Sequence, residues 1–151
     1  MAVTRVALVC VLALAAAGCM GGDEGVSTED YVARADAVCG DHQVQLGRIP
    51  RPVTADPREL ATYLERALPI AREQFEQLEE IPKPDSDDDR TQVEQLLGFL
   101  GQELEANEAA QEAAAAGNRN ALNNQLQQGG AFSAEAGRLA EQLGFAVCAR
   151  G

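Results

Sequence analysis

The sequence contains one lysine (Lys83), one histidine (His42), no tryptophan, and only two tyrosines and four phenylalanines in 151 residues. Each scarcity closes a class of function. Nucleic-acid binding rests on clustered Lys and Arg that displace counterions from phosphate. Here twelve basic residues are scattered among 24 acids, for a net charge of −12. One histidine cannot complete a zinc site built on imidazoles, nor the paired Glu-x-x-His of a di-iron bundle. No Gly-rich phosphate loop is present, no Gly-x-Ser-x-Gly surrounds Ser27, Ser86 or Ser133, and no Cys-x-x-Cys or Cys-x-x-Cys-His occurs. Phosphate cradling, a hydrolase elbow, thioredoxin-like exchange and haem attachment therefore lack their residues. Strand-like alternation with period two is missing as well. The expectation is a non-enzyme with no catalytic residues, no metal and no cofactor.

The acidic run Asp85-Ser86-Asp87-Asp88-Asp89 invites a calcium reading. An EF-hand loop starting at Asp85 needs Gly at its sixth position and Glu at its twelfth, and the sequence places Arg90 and Leu96 there. The run reads instead as a solvated helix N-terminus, where carboxylates complement the helix dipole, with a weak surface cation site as the other reading. His42 reads as structural or exposed. Glu94, Glu103, Glu105, Glu108 and Glu112 read as the wet face of one amphipathic helix. The Asn/Gln-rich segment 118–128 reads as a polar helix face; presentation of amides to a glycan or peptide is its functional alternative.

At the N-terminus, Arg5 precedes a charge-free apolar run from Val6 to Ala17. The run is too short to span a bilayer and fits the h-region of an export signal. Ala16-Ala17-Gly18-Cys19 follows. This resembles the lipobox of bacterial lipoproteins, in which the Cys thiol takes a diacylglyceryl group and cleavage then occurs before it. Three residues before the Cys the family usually carries Leu, and here Ala16 stands there. The resemblance implies a signal peptide over 1–18, lipidation at Cys19, and anchorage in the cell membrane on its outer, extracytoplasmic face. The alternative is an ordinary secretory signal cut near Ala17, which leaves Cys19 a free thiol. Residues 19–27, rich in Gly and polar side chains, read as a flexible tether, and 28–151 as the folded domain.

Cys10 lies inside the signal run and Cys19 is assigned to the lipid. Cys39 and Cys148 remain as a pair in a compartment that permits disulfides. From Cys19 onward only 27 of 133 residues are Leu, Ile, Val or Phe, so the core is thin and a staple that closes nearly the whole domain has value. Four helical stretches follow. The first starts at Ser27-Thr28, with Asp30 placed as in a capping box, and ends before Ile49-Pro50-Arg51-Pro52. The second has Asp56 as N-cap and Pro57 at its first position, and carries Leu60, Leu64, Ala67, Leu68, Ala71, Phe75 and Leu78 at three–four spacing. Pro69 is expected to kink or split it. The third begins at Ser86–Asp89 and runs through Val93, Leu96, Leu97, Leu100 and Leu104 toward Gly117. The fourth runs from Asn118 and is expected to break at Gly129-Gly130, resume through Leu139, and end at Gly144-Phe145. An offset of 32 relates Gln45–Pro52 to Gln77–Pro84 and Tyr31 to Tyr63; a duplicated unit and repeated helix-stop chemistry remain equal readings of it.

The expected architecture is an all-α, four-helix, up-down bundle closed by one disulfide. Tyr31–Cys39 at its opening, Leu143–Cys148 at its close and its Ala/Arg-rich, Lys-poor usage make the domain similar to small uncharacterised helical lipoproteins of high-GC Gram-positive bacteria. That likeness implies architecture and location only. The functional expectation is a non-catalytic interaction or scaffold module with an unknown protein partner. A small-ligand or cation binder with a pocket between helices is the alternative.

Overall fold

The computed structural model describes residues 25–54 and 56–150; the signal run and Cys19 lie outside them. Four helices follow in order: α1 (Thr28–Leu46), α2 (Pro57–Glu80), α3 (Asp87–Ala115) and α4 (Arg119–Leu143), with a short 3-10 turn at Cys148–Arg150. Each begins where a short polar side chain satisfies an orphan N–H of the first turn. The Ser27 side chain accepts from Asp30 N–H, Asp56 from Arg58 N–H, Ser86 from Asp89 N–H and Asn118 from Ala121 N–H. Each such cap is worth about 1 kcal/mol. Gly144 ends α4 at φ 89°, and Phe145 N–H then bonds the Ala140 carbonyl, 2.9 Å. This left-handed turn is one glycine adopts without steric cost.

Cross-helix contacts fix the up-down order. Cys39 lies beside Gln74, Arg72 pairs with Glu108, the Phe75 ring stands over Gly101, and Phe99 stacks on Phe132. The architecture is thus the all-α four-helix bundle with its disulfide. The core divides in two. At the end where α1 begins, Tyr31, Ala35, Leu78, Val93, Leu96, Leu139 and Phe145 pack together. Toward the other end, Leu64, Leu68, Ala110, Ala114 and Leu122 form a smaller cluster among α2, α3 and α4. Alanine lets α3 and α4 approach closely; Ala110 is fully buried.

One expectation needs correction and another is narrowed. Helix α4 runs unbroken through Gly129-Gly130. Gly129 is buried within the helix, where a Cβ would stand 3.5 Å from the Ala106 Cβ, so this glycine lies in the α3–α4 packing and not in a turn. Of the two readings of Pro69, a kink or a split, the split is excluded, because helix α2 continues through it. Both Pro69 and Glu65, whose carbonyl loses its helical partner, lie on the exposed face, within reach of solvent.

The last residues of the segment read as a tether are docked. Val26 N–H bonds the Lys83 carbonyl and Asp85 N–H bonds the Val26 carbonyl, at 3.1 and 2.9 Å. Gly25 is needed there, because a Cβ would meet the Asp85 carboxylate at 2.3 Å and the Lys83 carbonyl at 2.9 Å. The acidic run forms the start of α3: Thr28 Oγ1 donates to Asp89 at 2.6 Å, and Arg90 pairs with Asp87 and bonds the Pro84 and Asp85 carbonyls. Among the described residues no helix is long and apolar enough to cross a membrane.

Candidate functional site

Helices α1 and α4 close the bundle indirectly. Their main connection is the C-terminal segment, which leaves α4 at Gly144 and runs along α1. Phe145 meets Tyr31 edge-on, with ring centroids 6.3 Å apart. The Asp36 carboxylate then accepts from three successive backbone N–H groups, those of Ala146, Val147 and Cys148, at 2.8–2.9 Å. Cys148 is joined to Cys39 with Cα atoms 5.3 Å apart, and Gln43 donates to the Val147 carbonyl at 3.2 Å.

The Asp36 geometry carries a pH consequence. Burial alone raises the Asp36 pKa, but the three backbone hydrogen bonds and the charge of Arg150 outweigh it and hold the carboxyl below its ordinary value. A carboxylate with a depressed folded pKa contributes stability above its unfolded value, near pH 4, and loses it as pH falls through the folded value. Urea midpoints measured from pH 6 to pH 2 are expected to fall more gently in Asp36→Asn than in the parent chain. Parallel slopes would rule out Asp36 as an acid-sensitive latch.

Because this segment holds α1 off α4, a cleft of about 820 Å³ remains between the two helices. Its floor is α2 and α3, contributed by Leu64, Leu68, Phe75, Leu96, Leu100 and Leu104; Gln43 and Leu46 form one bank, and Gly130, Ser133 and Gly137 the other. On the α4 bank Gly130 and Gly137 carry no side chain, and a Cβ at either would meet nothing within 4 Å. The volume and apolar lining match the range typical of small-molecule sites, about 300–1,000 Å³.

Polar groups in the cleft are few. Of the five α3 acids, Glu94, Glu105 and Glu112 are exposed and Glu108 pairs with Arg72, whereas Glu103 alone lines the cleft. Burial raises its carboxyl pKa, and the Ser133 hydroxyl beside it offsets part of that. The wet-face reading therefore fails for Glu103. Its signal was present in the sequence: Glu103 falls seven residues after Leu96 and three after Leu100, on the apolar stripe. Tyr31, at the cleft's end, has its phenol pKa pushed up to about 12 by burial.

The disulfide Cys39–Cys148 also borders the cleft, and Gln74 donates to Cys39 Sγ at 3.2 Å. Cys19, the expected lipidation residue, lies outside the described residues. His42 is buried, with Nδ1–H donating to the Val38 carbonyl at 2.8 Å, which is a structural bond. Asn120, Asn123, Asn124, Gln127 and Gln128 form an exposed face of α4 away from the core. Among the described residues no group of three or more His, Cys, Asp and Glu is placed to hold a metal ion. Comparison with protein-family models, with curated proteins and with solved structures gives no match to this chain.

Proposed function

We propose that this protein is a non-catalytic, lipid-anchored binding module on the outer face of the cell membrane, and that it works through the cleft between α1 and α4. The observation that carries the binding part is the cleft itself: apolar, spanning all four helices and held open by a disulfide-fastened segment. It favours small-ligand binding over a purely structural scaffold. The lipid anchor rests on Ala16-Ala17-Gly18-Cys19. The docking of Gly25 and Val26 on the α2–α3 turn supports it geometrically. Cys19 is then six residues from the bundle, and α1 runs away from the anchored end for 19 residues, about 28 Å. The scaffold reading draws on the exposed Val44 in the last turn of α1 and on Val53 beyond that end, Val53 being 91% exposed.

Two measurements test the parts separately. Cys19→Ala is expected to move the protein from the membrane fraction to the soluble fraction of its host; retention would remove the lipid anchor. Nile red, a neutral apolar fluorophore, is expected to brighten on binding the parent chain and to lose that response in Gly137→Phe, which fills the cleft from α4 without a backbone clash. An undiminished response in a folded Gly137→Phe would remove the cleft as the site.

A further inference from the structure

The cleft combines a leucine-lined floor with two carboxylates, the half-buried Glu103 and the exposed Glu141, and Glu103 has no ion-pair partner among the described residues lining it. Arg138 is the only basic residue among the described residues lining the cleft. Its guanidinium is engaged at the exposed surface of α4, with Nε bonding Glu135 and Nη1 bonding Gln142, both at 3.0 Å. A carboxylate partly removed from water and left unpaired is costly, and the cost is relieved by a cation of suitable geometry. Three other features bear on the sign of the charge. Glu141 lines the same cleft, and the whole chain carries a net charge of −12, whose field draws cations in and keeps anions out. Ser133 and Asn107, the latter one turn beyond Glu103 on α3, add neutral oxygen acceptors to the same part of the wall. An ammonium carries three donors and no acceptor, so a carboxylate, a hydroxyl and an amide oxygen are its natural partners.

We infer that the cleft takes a cationic amphiphile: an apolar chain lying along the leucines of α2 and α3, with a protonated amine on the Glu103 carboxylate. This rests on the cleft being the binding site, as proposed above. The seven residues from Leu96 to Glu103 span about 10 Å of helix, and Leu96, Leu100 and Phe75 line that stretch. The chain therefore occupies the end of the cleft toward Tyr31, while the amine stops at the Glu103 level.

The test uses the full chain with its disulfide intact and three probes of equal chain length, dodecylamine, dodecanol and dodecanoate, each below its micelle concentration at neutral pH. Titration calorimetry is expected to show dodecylamine bound at least about tenfold more tightly than dodecanoate, the scale of one charge-assisted hydrogen bond. Glu103→Gln, which keeps shape and removes charge, is expected to weaken the amine by about the same factor and to leave dodecanol unchanged. Equal binding of amine and carboxylate, or an amine affinity untouched by Glu103→Gln, would overturn the cationic ligand while the cleft reading stood. Failure of all three probes to bind, or binding unaffected by Gly137→Phe, would overturn the cleft reading as well.

Discussion

Reducing the Cys39–Cys148 disulfide is expected to lower the melting temperature by an amount on the order of 10–20 °C. The bond joins residues 109 apart, and the chain-entropy argument gives about 4.7 kcal/mol for a loop of about 100 residues. For a domain of this size each kcal/mol shifts the midpoint by a few degrees, roughly 2–8 °C. The effect falls on a particular part of the structure. Helix α3 packs directly on both α2 and α4, whereas α1 packs on α2 and reaches α4 chiefly through the segment that the disulfide fastens. Without the bond, the segment is held by the Asp36 hydrogen bonds, the Gln43 contact, the Phe145 ring and the packing of Val147 and Ala149 on the core. Cys148→Ser should therefore loosen the cleft before it unfolds the bundle. Amide exchange is expected to speed first in α1 and in residues 145–150, with the α3–α4 pair still protected. A melting temperature within about 3 °C of the parent, less than 1 kcal/mol of effect, would mean that packing alone holds α1.

The helices could be read from local chemistry because each boundary depends on a few adjacent residues. Ser27, Asp56, Ser86 and Asn118 stand where a side-chain oxygen must meet a free N–H, and Gly144 stands where the backbone turns left-handed. The disulfide was legible from the even count left once Cys10 and Cys19 were set aside, given the export expected from the N-terminal run. Gly129-Gly130 misled because a glycine's meaning depends on what faces it. In sequence the pair looks like a break; in the fold Gly129 is buried opposite Ala106 and Gly130 faces open space, and the helix runs through both. Glu103 misled for a related reason. Its place on the Leu96–Leu100 stripe was readable, but one acid among five on α3 gave no reason to separate it from the wet face until the cleft showed it half-buried. The cleft was the least legible feature, because its width depends on how a seven-residue C-terminal segment threads between two helices and on Asp36 holding it there. Neither the resemblance at the N-terminus nor the helical periodicity contains that information.

Tyr31→Ala is expected to destabilise the fold by about 3–5 kcal/mol, the usual cost of deleting a buried aromatic. Tyr31 is 1% exposed and sits in the larger core cluster with Ala35, Leu78 and Ile81. It also receives the edge of Phe145, a pair worth about 0.5–1.5 kcal/mol beyond its buried area. The loss should therefore couple to the C-terminal segment: Phe145→Ala in a Tyr31→Ala background is expected to cost measurably less than Phe145→Ala alone. The phenol adds a second, independent readout. Burial raises its pKa from 10.0 to about 12, so the folded state holds the proton more tightly than the unfolded chain. Stability from this group is then complete below pH 10 and drains away as pH rises from 10 toward about 12. Tyr31→Phe keeps the ring and removes the ionisation, so its urea midpoint should decline less steeply over that window than the parent's. If Tyr31→Phe and the parent declined together, the phenol would be ionising in contact with water. The ring would then stand at the rim of the cleft rather than in the core that closes one end of it.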